Sequence, residues 1–129
     1  MSISILKNRF PNAVVKRVLF KEYQYKLIMD QLTYHIKVLP VSSNTILTIN
    51  SKHIWNIKRG RADGVSFKTG SSTLIYLNEF NKLPNKIIVF KSKPYKLLKH
   101  LNESDIVDVS SSALIGDIKI FWNMKDIKL

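Results

Sequence analysis

The chain has 129 residues, 45% of them hydrophobic, with 21 Lys and Arg against 9 Asp and Glu, a formal net charge of +12 and no Cys. That composition excludes a disulfide scaffold, a Cys-ligated zinc centre and a Cys nucleophile, and its Ile, Leu and Val content argues against disorder. The charge is uneven: residues 1–102 hold 18 of the 21 cations and only the carboxylates Glu22, Asp30, Asp63 and Glu79, about +14 by count, while the last 27 residues are about −2.

In chain order, residues 2–6 read as a short strand that Phe10-Pro11-Asn12 breaks. Residues 13–31 are ambiguous. Val14, Val15, Val18, Leu19 and Tyr23 fall near one helical face and Glu22 and Lys26 stand at i,i+4, whereas the β-branched and aromatic content favours a strand. The helix is the reading adopted. From Thr33 the period becomes two, with Tyr34, Ile36 and Val38 alternating with His35, Lys37 and Leu39 until Pro40. Residues 45–50 and 53–58 repeat the strand pattern. Gly60 and Asp63-Gly64 mark turns, and residues 65–69 and 73–77 read as a hairpin around Gly70-Ser71-Ser72.

Pro84-Asn85 predicts a turn and residues 87–91 a compact apolar strand. Ser92 suits a helix N-cap with Pro94 in the first turn. Pro94, Leu97, Leu98 and Leu101 then form an apolar stripe, with Lys93, Lys96, Lys99 and His100 on the opposite face. Residues 105–110 read as a strand, and Ile118, Ile120 and Trp122 alternate in the last one. The sum predicts an α+β protein: one small domain over residues 1–129, with a mainly antiparallel mixed sheet, barrel-like closure being one arrangement of it, and one or two short helices. No stretch approaches the ~18 apolar residues of a membrane span, and no signal-peptide core follows Lys7 and Arg9. The expectation is a cytoplasmic protein with no membrane partner.

Two segments carry the candidate binding residues. The first reads KHIWNIKRGR, residues 52–61, where Lys52, Lys58, Arg59 and Arg61 run along a strand into a glycine turn. Guanidinium pairs with phosphate oxygens, and glycine lets the backbone approach them. Trp55 is a base-stacking platform in one reading and a core residue in the other, which its apolar strand neighbour Ile57 favours. The second segment holds Lys93, Lys96 and Lys99 with Tyr95 at their margin. Lys93 at the helix start and Glu103 and Asp105 after its end oppose the helix dipole, so helix stability is not what places these charges.

Catalytic signals are thinner. His35, His53 and His100 lack metal-ligand spacing and no Cys supports them. Asp117-Ile118-Lys119 is a D-x-K triplet with Asp108 upstream, the arrangement by which restriction-like nucleases hold Mg²⁺, but too few residues follow it for that fold. Phosphate-loop, dinucleotide-binding, nucleophile-elbow and zinc-protease motifs are absent. No cofactor, metal site or catalytic residue is predicted, and the oligomeric state is open.

A small, basic, strand-rich, cysteine-free chain with KHIWNIKRGR and a late Ser-Lys-Pro-Tyr-Lys segment resembles the PUA-like proteins and, more narrowly, the small PrgU-type regulators of Gram-positive conjugative elements. The resemblance implies a small mixed β-barrel flanked by short helices and an RNA-binding regulator without catalysis. Charge and composition alone point to nucleic acid, RNA before DNA because no helix-turn-helix pattern is present. Two alternatives stay open. One is a metal-independent endoribonuclease of the toxin type using His53 or Arg59. The other is a domain whose basic face meets an acidic protein.

Overall fold

The computed structural model describes residues 3–49, 53–60, 72–100, 106–108, 114–115 and 117–129. The protein is α+β, built mostly of strands in two mixed sheets with one α-helix, α1 (Ile3–Arg9), among the described residues. In chain order the strands are β1 (Val14–Arg17), β2 (Tyr25–Met29), β3 (Leu32–Leu39), β4 (Thr45–Ile49), β5 (Ile54–Arg59), β6 (Ser72–Tyr76), β7 (Lys86–Phe90), β8 (Lys96–His100), β9 (Ile106–Asp108), β10 (Leu114–Ile115) and β11 (Ile118–Phe121). One sheet has the order β1-β2-β3-β7-β11-β10 and the other β6-β5-β4-β8-β9. Six of the described pairings are antiparallel and three parallel.

The six-stranded sheet is covered on both faces. Its central strand β7 is buried at every position and runs parallel to both neighbours, which is why it reads as a continuous apolar run rather than an alternation. Ile88 and Phe90 face a core shared with Leu47, Ile49, Trp55 and Ile57 of the second sheet. Ile87 and Val89 face the other way, onto Leu6 of α1 and Met124 and Ile127 near the C-terminus. The two sheets share a corner. The β3–β7 ladder continues past Leu39 through Lys91 N–H to Leu39 O (3.1 Å), Ser92 N–H to Val41 O (2.9 Å) and Tyr95 N–H to Thr45 O (2.9 Å). There it becomes the parallel β4–β8 pair. No strand pairing among the described residues closes these sheets into a barrel.

Three expected elements are corrected. Residues 3–6 belong to α1 instead of a strand; the alternation of Ser and Ile there also fits a helix that buries Leu6 and places Lys7 and Arg9 in its last turn, where the dipole favours them. Residues 13–31 form the β1–β2 hairpin. The Glu22–Lys26 pair that favoured a helix does not form, because the Glu22 carboxylate accepts from Phe80 N–H at 2.8 Å. The β2–β3 turn is made by Asp30 (φ 52°) and Gln31 (φ 66°), both left-handed as a tight hairpin of this twist requires.

The third correction is the segment after Ser92, which is strand β8 and not a helix. Leu97 is buried and Leu98 half-buried, so the helical stripe splits across the two faces of a sheet. Strand 73–77 is present as β6, paired with β5; its expected partner at 65–69 lies outside the described residues.

Candidate nucleic-acid interface

Strand β5 alternates. Trp55 and Ile57 point into the core, so Ile54, Asn56 and Lys58 point outward. Register then aligns Ser72, Lys58, Ile46 and Lys96 in one row across β6-β5-β4-β8. The next row is Leu74, Asn56, Thr48 and Leu98, and Tyr76 stands beside Ile54 in the third. With strands about 4.8 Å apart, the Cα atoms of Lys58 and Lys96 lie about 10 Å apart with Ile46 between them.

The described outward side chains of these four strands include no carboxylate; Asp108 of the edge strand β9 holds the register position beside Leu98. Leu74 and Tyr76 are 49% and 53% exposed. Ser72 Oγ donates to Asn56 Oδ1 at 2.6 Å, tying the edge strand to its neighbour. At the start of β8, Tyr95 is exposed, with Lys96 Nζ 6.0 Å from its ring centroid. By register Tyr95 stands beside buried Thr45, on the side of the sheet opposite Lys96, so the outward residues make a cationic, partly apolar sheet face with one accessible phenol ring, that of Tyr76.

The structure therefore brings Lys58 and Lys96 together, although they come from separate segments of the sequence. It separates others. Arg59 pairs with buried Thr45 and points to the opposite side of the sheet from Lys58. Lys93 is not on a helix face with Lys96; it lies over the Trp122 ring at 5.8 Å, which packs on Phe90 of the other sheet. Lys99 is placed by its backbone beside Ile49. Lys52 and Arg61 lie outside the described residues. Charge and spacing do not single out Leu74 and Tyr76. The signal that does is their alternation with Ile75, which packs on the core and leaves two large side chains outward on a strand read only as structural.

Trp55 is fully buried in the inter-sheet core, so the stacking reading fails. Its Nε1 has no hydrogen-bond partner among the described residues. The ribonuclease alternative names His53 or Arg59, and the structure keeps these two apart. His53 precedes β5 and Arg59 ends it, so the two stand about 20 Å apart along an extended strand. His35 is buried, its Nδ1 2.7 Å from Pro84 O and its ring edge-on to Tyr23.

The D-x-K triplet lines a cavity of about 290 Å³ with Tyr34, Asn85, Lys86 and Ile87. Lys86 Nζ donates to Asp117 Oδ2 at 2.6 Å and to Asn81 O at 2.9 Å. That buried ammonium already neutralises the Asp117 carboxylate. No group of three potential ligands occurs among the described residues. Asp117 of the triplet ties the start of β11 to Lys86 of β7.

Lys37 is a second buried cation. It donates to the Glu22 backbone carbonyl. Burial lowers its pKa below the 10.5 of a free lysine, against the opposing pull of the Glu22 carboxylate. Between the lowered folded value and 10.5 the unfolded chain binds more protons, so stability contributed through Lys37 rises as pH climbs through that window. Urea unfolding from neutral pH to 10.5 should show the wild type gaining stability relative to Lys37→Met. A gap that stays constant with pH would assign Lys37 the same proton affinity folded and unfolded.

No protein-family model, curated protein or solved structure matches this chain. Among the described residues no helix is long and apolar enough to cross a membrane.

Proposed function

We propose that this protein binds nucleic acid without catalysis, single-stranded or structured RNA in preference to DNA, through the outer face of β6-β5-β4-β8. The observation that carries the reading is the row Lys58–Ile46–Lys96 on a face whose described outward side chains include exposed Tyr76 and Leu74 and no carboxylate. Lysines spaced across a sheet suit a phosphate backbone, while exposed aromatic rings accept splayed bases whatever their sequence. The net charge of +12 supplies long-range attraction. Preference for RNA follows from the shape of the surface: α1 spans seven residues and none of them joins this face, so the contact is made by a sheet and suits unpaired bases.

A PUA-like barrel and a regulatory role of the PrgU type belong to the same proposal. The corner where β3–β4 and β7–β8 pass side by side from one sheet to the other supports a barrel-like arrangement.

Binding to a labelled single-stranded RNA should weaken with salt, with log K falling against log salt at a slope near −4 if about six phosphates are engaged. A slope near zero would remove the reading. Tight, saturable capture of one acidic protein with no affinity for RNA would replace it with the protein-interaction alternative.

A further inference from the structure

The β1–β2 hairpin presents an apolar tip that neither core absorbs. Val18 packs against the inter-sheet core, but the next two residues leave the protein: Leu19 is 67% exposed and Phe20 fully exposed. Phe20 also sits at φ 60°, a left-handed backbone that non-glycine residues disfavour. The chain thus holds a large ring outward in a conformation that local preference opposes.

Cations flank this tip. Lys16, Arg17 and Lys21 are exposed. Lys16 stands directly opposite Lys26 in the β1–β2 register, a like-charge pair that weakens a hairpin. Neither of them has a carboxylate partner among the described residues. The acidic groups at this loop are Glu22, whose carboxylate is turned to Phe80 N–H, and Glu79, which lines a small cavity with Lys21. An apolar point flanked by more cations than carboxylates matches an anionic lipid surface. Leucine and phenylalanine enter the acyl boundary while lysine and arginine remain at the depth of the headgroup phosphates. A nucleic acid would satisfy the cations and could stack on Phe20, but it offers nothing to Leu19.

We propose that the residue 16–26 hairpin is a peripheral membrane-docking element for anionic lipid headgroups, separate from the sheet face assigned to RNA. The proposal departs from the expectation of no membrane partner, which rested on the lack of a spanning segment; a docking tip needs none.

The test is flotation of RNA-free protein with vesicles of phosphatidylcholine alone or with about one-third phosphatidylserine. The wild type should float with the anionic vesicles only, and less so as salt is raised. Leu19→Ser with Phe20→Ser should lose about tenfold or more in vesicle affinity. Phe20→Gly, which suits the left-handed backbone, should lose a smaller part. Both should keep the wild-type fold and RNA affinity. Lys58→Gln with Lys96→Gln should float as the wild type does, so failure of the RNA reading leaves this result intact. The proposal is overturned if the wild type ignores anionic vesicles. It is overturned equally if the tip variants bind them as tightly as wild type, or if the tip variants lose RNA affinity while no vesicle binding is seen. That last result would make the hairpin a nucleic-acid contact.

Discussion

Lys58→Gln combined with Lys96→Gln is expected to weaken single-stranded RNA binding about 60-fold at ~50 mM salt and about tenfold at ~0.2 M. The two lysines sit on either side of Ile46 on one sheet face. If each neutralises one phosphate of a single strand, their loss removes about 0.7 from the salt slope apiece, so the double variant should show a slope shallower by about 1.4. The dependence on salt separates lost phosphate contacts from a damaged fold, which would lower affinity by a similar factor at every salt concentration. Arg59→Gln is the matched control. It removes one charge from the next residue in sequence, but from the other side of the sheet. Its effect should be small, and anisotropy titrations over the same salt range measure all three proteins. A loss for Arg59→Gln of half that of the lysine pair in log K, about eightfold at ~50 mM salt, would mean that only total charge matters.

Asp117→Ala is expected to destabilise the fold by about 3 kcal/mol, whereas Lys86→Met should leave stability within about 1 kcal/mol of wild type or raise it. The asymmetry follows from burial. Lys86 is 2% exposed and Asp117 62%. Removing the carboxylate leaves a buried ammonium with the Asn81 carbonyl as its remaining acceptor among the bonds described above. Removing the lysine leaves a carboxylate that water can reach, and a methionine of similar length fills the space. Chemical denaturation of both variants measures the difference. If Lys86→Met proves the more damaging substitution, the pair contributes net attraction beyond its desolvation cost.

The elements that could be read in the sequence are those whose pattern is set by their own two faces. Strands β4 and β5 alternate because one face meets a core, and β7 is continuously apolar because both faces do; β3 alternates in sequence although it meets both cores, Ile36 in one and Leu39 in the other. The misread segments are those decided by distant partners. In β1–β2, Val14, Val18 and Tyr23 fit a helix and a strand about equally. The Asp30-Gln31 turn that ends β2 and pairs it with β3 lacks the glycine that marks such turns in a sequence. In β8, Pro94, Leu97 and Leu98 fit a helical stripe, and it is the parallel partner β4, some fifty residues earlier, that draws them into a sheet.

The candidate site was partly legible for the same reason. Basic residues and Tyr95 can be seen in the chain. Which of them share a surface depends on two registers, one antiparallel and one parallel, meeting at Ile46. The helical reading grouped Lys96 with Lys93, whereas the strand places it with Lys58 and sends Lys93 to Trp122.

The central claim is that one sheet face binds RNA, and titration of isotope-labelled protein with a short single-stranded RNA, followed residue by residue through amide shifts, tests it most directly. The largest shifts should fall on Ile46, Thr48, Asn56, Lys58, Leu74, Tyr76 and Lys96, with α1 and the C-terminal segment unmoved. Shifts centred on α1, on the Lys86–Asp117 cavity or on the Leu19-Phe20 hairpin, with that face silent, would contradict it.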